Sequence, residues 1–329
     1  MSKNLFKIGF IGAGSIGSLF GGYLANLANL KPELYKVEVI LFGRKSHIEA
    51  INREGLSISK DSETIEIKNI KGFKNPKKYQ QDDNEKFKYM FLTTKTYDIK
   101  EALSEYENLI KDTKLLVILQ NGIGNEALVQ NFIPKDKIIR ILTSNGALLY
   151  APGKVKHTGH GFTKIGFPFI KRRDAKSNKR FKDLKLLNEL LTNSGIKTTL
   201  SDDIIRDSWE KVFVNIGINP FGALTRLKNG ELLENKKIKA LMGDAVEEAV
   251  KIAKLKHINL SEQDYKALTY DVAKKTAENK NSMLQDVLKG KKTEIDFMNG
   301  RIVKYADELG VKVPINRTLS YLIKGLELS

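Results

Sequence analysis

Apolar residues in the first 200 positions fall into short blocks separated by helical patterns. Phe6, Ile8, Phe10 and Ile11 make one block, and Leu19, Phe20, Tyr23, Leu24 and Leu27 follow at the three- and four-residue intervals of a helix face. Val37–Phe42 reads as a second strand. The stretch from Gly55 to Gly72 alternates apolar and polar positions at Ile58, Ile65, Ile67 and Ile70, which predicts short strands. Tyr89–Leu92, Leu115–Leu119 and Ile138–Leu142 continue the series, and Gly153–Gly166 reads as hairpin strands. Lys182–Ser194 is amphipathic with a stop at Gly195, and Ile196–Leu200 is a last strand. Beyond Ser201 the period is helical throughout, with segments at 202–219, 235–257, 262–280, 283–289, 294–309 and 316–326. Within them Ile295, Met298, Ile302, Tyr305 and Leu309 form a core stripe. Alternating strands and helices followed by helices alone predict an α/β Rossmann-type N-terminal domain, residues 1–200, and an all-α C-terminal domain, residues 201–329.

The first strand runs straight into Gly12-Ala13-Gly14-Ser15-Ile16-Gly17 and a helix, the context in which Gly-x-Gly-x-x-Gly holds a dinucleotide. Gly12 permits the tight turn, Gly14 the approach of a pyrophosphate, and Gly17 close helix–strand packing, with the helix N-terminus facing the anion. After the second strand comes Gly43-Arg44-Lys45, where no carboxylate is present to hold a ribose hydroxyl. Arg44 there favours a 2′-phosphate and hence NADP, or else is a solvated base leading into the next helix. Two further strands end in Thr93-Thr94-Lys95 and Gln120-Asn121-Gly122. Ligands of open α/β sheets sit at such strand ends, so Lys95 and Asn121 are site candidates, with turn chemistry as the alternative for each.

Composition narrows the chemistry. The 329-residue chain has no cysteine, which removes disulfides, thiolate catalysis and cysteine-bound metals, and its 4 histidines show no metal-ligand spacing; no metal is expected. His157 and His160 read as structural. No apolar run reaches about 18 residues and no signal-peptide pattern opens the chain, so no membrane span is expected and a cytoplasmic location is the default. The net charge of +17 raises a nucleic-acid reading, but the lysines are spread along the whole length among Asp and Glu. The densest cluster, Lys171, Arg172, Arg173, Lys176, Lys179 and Arg180, falls in a loop and helix start. No nucleic-acid partner is expected, although the positive field attracts anionic ligands.

In the helical half, Lys211, Asn215 and Asn219 fall at i, i+4 and i+8 of an otherwise apolar segment and share one face. Such a stripe either meets a polar ligand or is the exposed side of an amphipathic helix. Pro220 is expected to end or kink that helix and open the face toward a cleft. Ser282 and Gln285 have capping-box spacing, so Ser282 reads as a helix N-cap and, at the same helix end, as a carboxylate binder.

These segments in this order resemble the ketopantoate reductase (2-dehydropantoate 2-reductase) family from about residue 7 to residue 322. The likeness is carried by residues 12–17, Thr93-Thr94-Lys95, Gln120–Asn125, Trp209-Glu210-Lys211-Val212 with Asn215–Pro220, Asn229–Leu232, Asn279–Asp286 and Thr293–Asp296. The resemblance implies that Lys211 donates the proton to the reduced ketone and that Asn215, Asn219, Asn229 and Ser282 hold the substrate, with Asn279 a further polar position beside Ser282. It puts Lys95, Asn121 and Ala147 against the cofactor, Asn121 also on the substrate, Arg44 at the 2′-phosphate, and Glu294 near both cofactor and Lys211. Departures are a longer first helix and lead-in over Asn26–Lys36 and many added lysines.

The expected reaction is NADPH-dependent reduction of 2-dehydropantoate to pantoate, a step toward pantothenate and coenzyme A. Hydride reaches C2 while Lys211 protonates the oxygen and Glu294 favours the charged amine. The alternatives are reduction of another branched 2-oxo acid and a nonenzymatic NADP-binding regulator. A homodimer is a family expectation.

Overall fold

The computed structural model describes residues 5–82, 86–170 and 180–328. Most of the basic cluster singled out above, residues 171–179, lies outside the described residues; Arg180 lies within them and pairs with Asp136 at 2.6 Å. The chain divides into two units, one of residues 1–120 and 125–204, the other of Asn121–Gly124 with Ile205–Ser329.

In the first unit the strands are β1 (Leu5–Ile11), β2 (Lys36–Phe42), β3 (Leu56–Lys60), β4 (Glu63–Ile67), β5 (Ile70–Phe73), β6 (Tyr89–Leu92), β7 (Leu115–Ile118), β8 (Ile138–Thr143), β9 (Gly146–Ala151), β10 (Lys154–Gly159), β11 (Thr163–Gly166) and β12 (Thr198–Leu200). Its helices are α1 (Ser15–Leu30), α2 (Lys45–Glu54), α3 (Pro76–Asp82), α4 (Ile99–Glu105), α5 (Glu107–Asp112), α6 (Asn125–Val129) and α7 (Phe181–Asn193). Eight strands form one sheet in the order β12-β11-β8-β7-β6-β1-β2-β5. Its run β5-β2-β1-β6-β7-β8 is parallel and has the strand order of dinucleotide-binding folds, with the switch point between β1 and β6.

The central strands β6 and β7 are apolar at every position because both sheet faces are covered. Val39, Leu41, Tyr89, Phe91, Leu115 and Val117 point into one core, and Ile40, Phe42, Met90, Leu92, Leu116 and Ile118 into another. A second sheet, β4-β3-β10-β9, packs on α1. Helix α1 lies between the two sheets: a Cβ on Gly21 would stand 2.7 Å from Leu41, and one on Gly22 would stand 2.6 Å from Ile58. That double contact explains a helix apolar almost all round.

The hairpin expected over Gly153–Gly166 does not form. β10 pairs with β9 and β3, while β11 pairs with β8 and β12 in the other sheet. Strand β9 carries no alternation that separates it from a loop. His157 is buried with both ring nitrogens engaged: Nδ1 meets the Tyr23 hydroxyl at 2.9 Å and Nε2 meets Asn145 Oδ1 at 3.1 Å.

The second unit is helical among its described residues: α8 (Ile204–Thr225), α9 (Glu231–Glu234), α10 (Lys236–Leu255), α11 (Tyr265–Lys275), α12 (Ser282–Leu288), α13 (Asn299–Glu308) and α14 (Pro314–Leu326). Pro220 neither ends α8 nor stops its pattern; the helix continues to Thr225. Proline removes one backbone donor, yet Phe221 and Ala223 are buried, so packing holds the last turn. The segment 294–309 is not one helix. Met298 leaves helical geometry (φ −117°, ψ −102°) between a 3-10 turn, Ile295–Phe297, and α13. Of its stripe, Ile295, Met298 and Ile302 are buried, Tyr305 half-buried and Leu309 exposed. No helix among the described residues is long and apolar enough to cross a membrane.

Candidate active site

The glycine-rich turn follows β1 at the switch point of the sheet. The N–H groups of Gly12 and Ala13 both donate to the Phe42 carbonyl, at 3.1 and 2.7 Å, which ties the turn to the end of β2. Gly12 has φ +102°, and a Cβ there would stand 2.6 Å from Thr94 N. At Gly17 a Cβ would lie 2.3 Å from Gly12 O and 2.6 Å from Thr93 Oγ1, so α1 can start this close only with glycine. Thr93 Oγ1 donates to Gly12 O at 2.8 Å and to Ile11 O at 3.0 Å, bracing the turn from β6; no special role for Thr93 is legible in its sequence context.

Gly14 differs: a Cβ there would meet nothing within 4 Å. Protein packing does not demand glycine at that position, whereas a pyrophosphate resting on the backbone does. The first turn of α1 holds no acidic side chain, leaving its positive end for an anion. These residues fit a dinucleotide. Ser15 Oγ accepts from Leu149 N–H at 3.0 Å and so ties β9 to the turn; Ala147 on that strand is half-buried, as are Ile16 and Lys95, and Ala13 is buried. Arg44 is exposed between Gly43 and α2. Gln120 is buried, and its Nε2 donates to Thr94 O at 2.9 Å and Thr94 Oγ1 at 3.0 Å.

The polar stripe of α8 is the second locus. Lys211 and Asn215 are half-buried and Asn219 is 5% exposed, with Nδ2 3.8 Å from Met298 Sδ. An ordinary solvated helix face would not bury its last asparagine. Lys211 Nζ donates to Asn121 Oδ1 at 2.9 Å, and Asn121 Nδ2 donates to Glu294 Oε2 at 3.3 Å. The amide thus presents its oxygen to an ammonium and its nitrogen to a carboxylate, which fixes its orientation. Glu294 is 6% exposed.

Asn121 comes to Lys211 because residues 121–124 are docked within the helical unit. Ile123 is buried and its N–H donates to Phe297 O at 3.0 Å. Gly122 (φ +81°) would place a Cβ 2.4 Å from that carbonyl. The diverted Phe297 carbonyl coincides with the break at Met298.

Of the other expected substrate residues, Asn229 meets the Asn279 backbone and the Asn281 side chain, whereas Asn279 and Ser282 are themselves exposed. Asn229 is buried, its N–H donates to Asn279 O at 3.1 Å, and its Nδ2 donates to Thr276 Oγ1 at 2.9 Å. Asn281 Nδ2 reaches Asn229 Oδ1 at 3.4 Å. The cap of α12 is Asn281 and not Ser282: Asn281 Oδ1 accepts from Leu284 N–H at 3.0 Å, and Ser282 is the exposed first helical residue. Gln285 Nε2 bonds Lys280 O at 2.8 Å. Asparagine caps at least as well as serine, so the Asn before Ser-x-x-Gln was the available signal.

Comparison with known proteins places this arrangement. The family described as "Ketopantoate reductase PanE/ApbA" matches residues 8–168, and "Ketopantoate reductase PanE/ApbA C terminal" matches residues 203–327. A 2-dehydropantoate 2-reductase of Pyrococcus horikoshii is 37% identical over 98% of this chain and 97% of its own, and one of Archaeoglobus fulgidus is 31% identical over 98% of each. The crystal structure of a PanE/ApbA family ketopantoate reductase from Ralstonia eutropha superposes with a TM-score of 0.83 at 26% identity over 98% of both chains. A D-mandelate dehydrogenase solved with NADH and anilino(oxo)acetate gives 0.84 at 26% identity, again over 98% of both. The chain belongs to the ketopantoate reductase family.

Proposed function

We propose that the protein is an oxidoreductase that reduces 2-dehydropantoate to pantoate with NADPH, a step in making pantothenate and coenzyme A. The observation that carries this reading is the chain Lys211 Nζ, Asn121, Glu294, with contacts of 2.9 and 3.3 Å. When bound, the reduced nicotinamide supplies hydride to C2 of the 2-oxo acid. In the first unit, residues 12–17 would hold the pyrophosphate on backbone amides, with Lys95 and Ala147 along the cofactor. Negative charge grows on the ketone oxygen, and the Lys211 ammonium stabilises it and delivers the proton there. Glu294, reaching the ammonium through the Asn121 amide, favours its charged form. Asn215, Asn219, Asn229, Asn279 and Ser282 orient the 2-oxo acid through neutral hydrogen bonds, while the growing charge falls to Lys211.

NADPH over NADH rests on Arg44, an exposed cation at the end of β2 with no carboxylate in Gly43-Arg44-Lys45. A second substrate reading, a bulkier 2-oxo acid, is favoured by the D-mandelate dehydrogenase likeness. Loss of NADPH absorbance with 2-dehydropantoate, with a panel of 2-oxo acids, and with NADH in place of NADPH tests all three choices. Lys211→Ala is expected to lower turnover at least roughly 100-fold while dinucleotide binding persists. Near-parental turnover of that variant overturns the acid role.

A further inference from the structure

We infer that Glu327, the C-cap residue just past α14, is a positioning residue for the reduction and acts through Thr293 on Glu294. The inference rests on the reading of Lys211 and Glu294 given above.

Glu294 is held by no regular element. It precedes a three-residue 3-10 turn, with φ −99° and ψ 23°, too short to fix a backbone by itself. The residue before it is fixed from outside. Thr293 is 2% exposed, and both its N–H and its hydroxyl donate to Glu327 Oε1, at 2.8 and 2.6 Å. Thr293 Oγ1 in turn accepts from Ile295 N–H at 3.2 Å. One carboxylate oxygen therefore anchors residue 293, residue 293 anchors residue 295, and Glu294 lies between them.

The helix that supplies Glu327 is itself fixed at its other end. Glu248 of α10 accepts from Ile315 N–H at 3.0 Å, from Asn316 N–H at 2.9 Å and from Asn316 Nδ2 at 2.8 Å, closing the first turn of α14. A further link from α14, Lys324 to Asp296 at 2.7 Å, joins side chains that are 49% and 43% exposed and contributes little. The two charge-assisted bonds to buried Thr293 are the stronger tie. The contact they protect has little slack: Asn121 Nδ2 to Glu294 Oε2 is already 3.3 Å, and a drift of the turn by a fraction of an ångström breaks it.

The test compares Glu327→Ala, Glu327→Gln, Glu294→Gln and the double variant Glu327→Ala/Glu294→Gln, measuring kcat and KM with 2-dehydropantoate and NADPH, thermal midpoint, and dinucleotide binding by fluorescence. Glu327→Ala is expected to lower kcat roughly 10- to 100-fold with dinucleotide affinity unchanged, because a small misplacement of a reacting group is felt in turnover. Glu327→Gln keeps an oxygen acceptor and is expected to return kcat to within about threefold of the parent. On the Glu294→Gln background the alanine change is expected to add less than about twofold, since both act on one contact. If Glu327→Ala fails to fold, Thr293→Val removes the same hydroxyl, and its kcat loss and non-additivity with Glu294→Gln are read instead. Parental kcat in Glu327→Ala, or a loss that multiplies in full with Glu294→Gln, overturns the inference. Full turnover by Lys211→Ala would instead refute the acid role beneath it, so the two failures are separate results.

Discussion

Gly122→Ala is the sharpest test of how Asn121 is held. The residue has φ +81°, where a Cβ costs about 1–2 kcal/mol by itself. That Cβ would sit 2.4 Å from Phe297 O and 2.7 Å from Phe297 Cβ, whereas ordinary contacts begin at 3.4 Å. Relief requires a shift of about 1 Å away from the 3-10 turn, which breaks the 3.0 Å bond from Ile123 N–H to Phe297 O, worth about 1 kcal/mol net. The local cost is therefore roughly 2–4 kcal/mol. Asn121 is the adjacent residue, and its contacts to Lys211 and Glu294 move with it, so kcat is expected to fall roughly 100-fold. Gly290→Ala is the control: it too has positive φ, +59°, but its Cβ would meet nothing within 4 Å, so it carries the backbone cost alone. Steady-state kinetics and urea unfolding of both variants, with dinucleotide binding by fluorescence, measure the effect. A Gly122→Ala protein whose kcat stays within about twofold of the parent refutes the claim that this glycine seats Asn121.

Gly14→Ala and Gly17→Ala are expected to separate binding from folding. At position 14 the added methyl meets open space, so the thermal midpoint is unchanged while the dinucleotide Kd rises at least about 10-fold by fluorescence titration; at position 17 it strikes the Gly12 carbonyl, and both stability and binding are lost. Acid should destabilise the first unit in a defined window. Burial pushes His47 and His157 down to about 4 in the folded protein, so between about pH 6.5 and 4 the unfolded chain binds more protons. Their stabilisation is complete above pH 6.5 and is lost as pH falls toward 4, about 2 kcal/mol each once partial solvent access is allowed for; unfolding midpoints across that range check it, and a flat profile excludes it. His257→Gly is expected to stabilise by about 0.5–1 kcal/mol, since His257 ends α10 at φ +55° where glycine carries no Cβ penalty; the urea midpoint measures it.

What the sequence made legible, and what it hid, follows from the range of the interactions concerned. Local pattern was enough for β1, β2, β6 and β7, which are covered on both faces: β6 and β7 read as unbroken apolar blocks, while Phe6–Ile11 and Val37–Phe42 are interrupted by Lys7, Gly9 and Glu38. The glycine turn was legible because Gly-x-Gly-x-x-Gly stands between an apolar strand and a helix pattern, although part of what crowds Gly12 and Gly17 comes from Thr93 and Thr94, with Thr93 81 residues on from Gly12. By contrast β9 and the separation of β10 from β11 depend on which sheet each strand joins, and alternation does not encode that. Pro220 does not end the helix, because packing of Phe221 and Ala223 outweighs one missing backbone donor. Lys211, Asn215 and Asn219 could be placed on one face by spacing alone, but the amide that meets Lys211 comes from 90 residues earlier, and the carboxylate that meets that amide from 83 residues after Lys211. Asn121 arrives there only because residues 121–124 dock on a carbonyl that the break at Met298 exposes, and Glu294 keeps its position by a tie to residue 327. A spacing rule sees the amine; the amide it meets and the carboxylate that holds that amide are brought in by long-range contacts. It follows that substitutions in those supporting contacts should change turnover more than they change the binding of the dinucleotide, and this asymmetry is what the Gly122 and Glu327 variants measure.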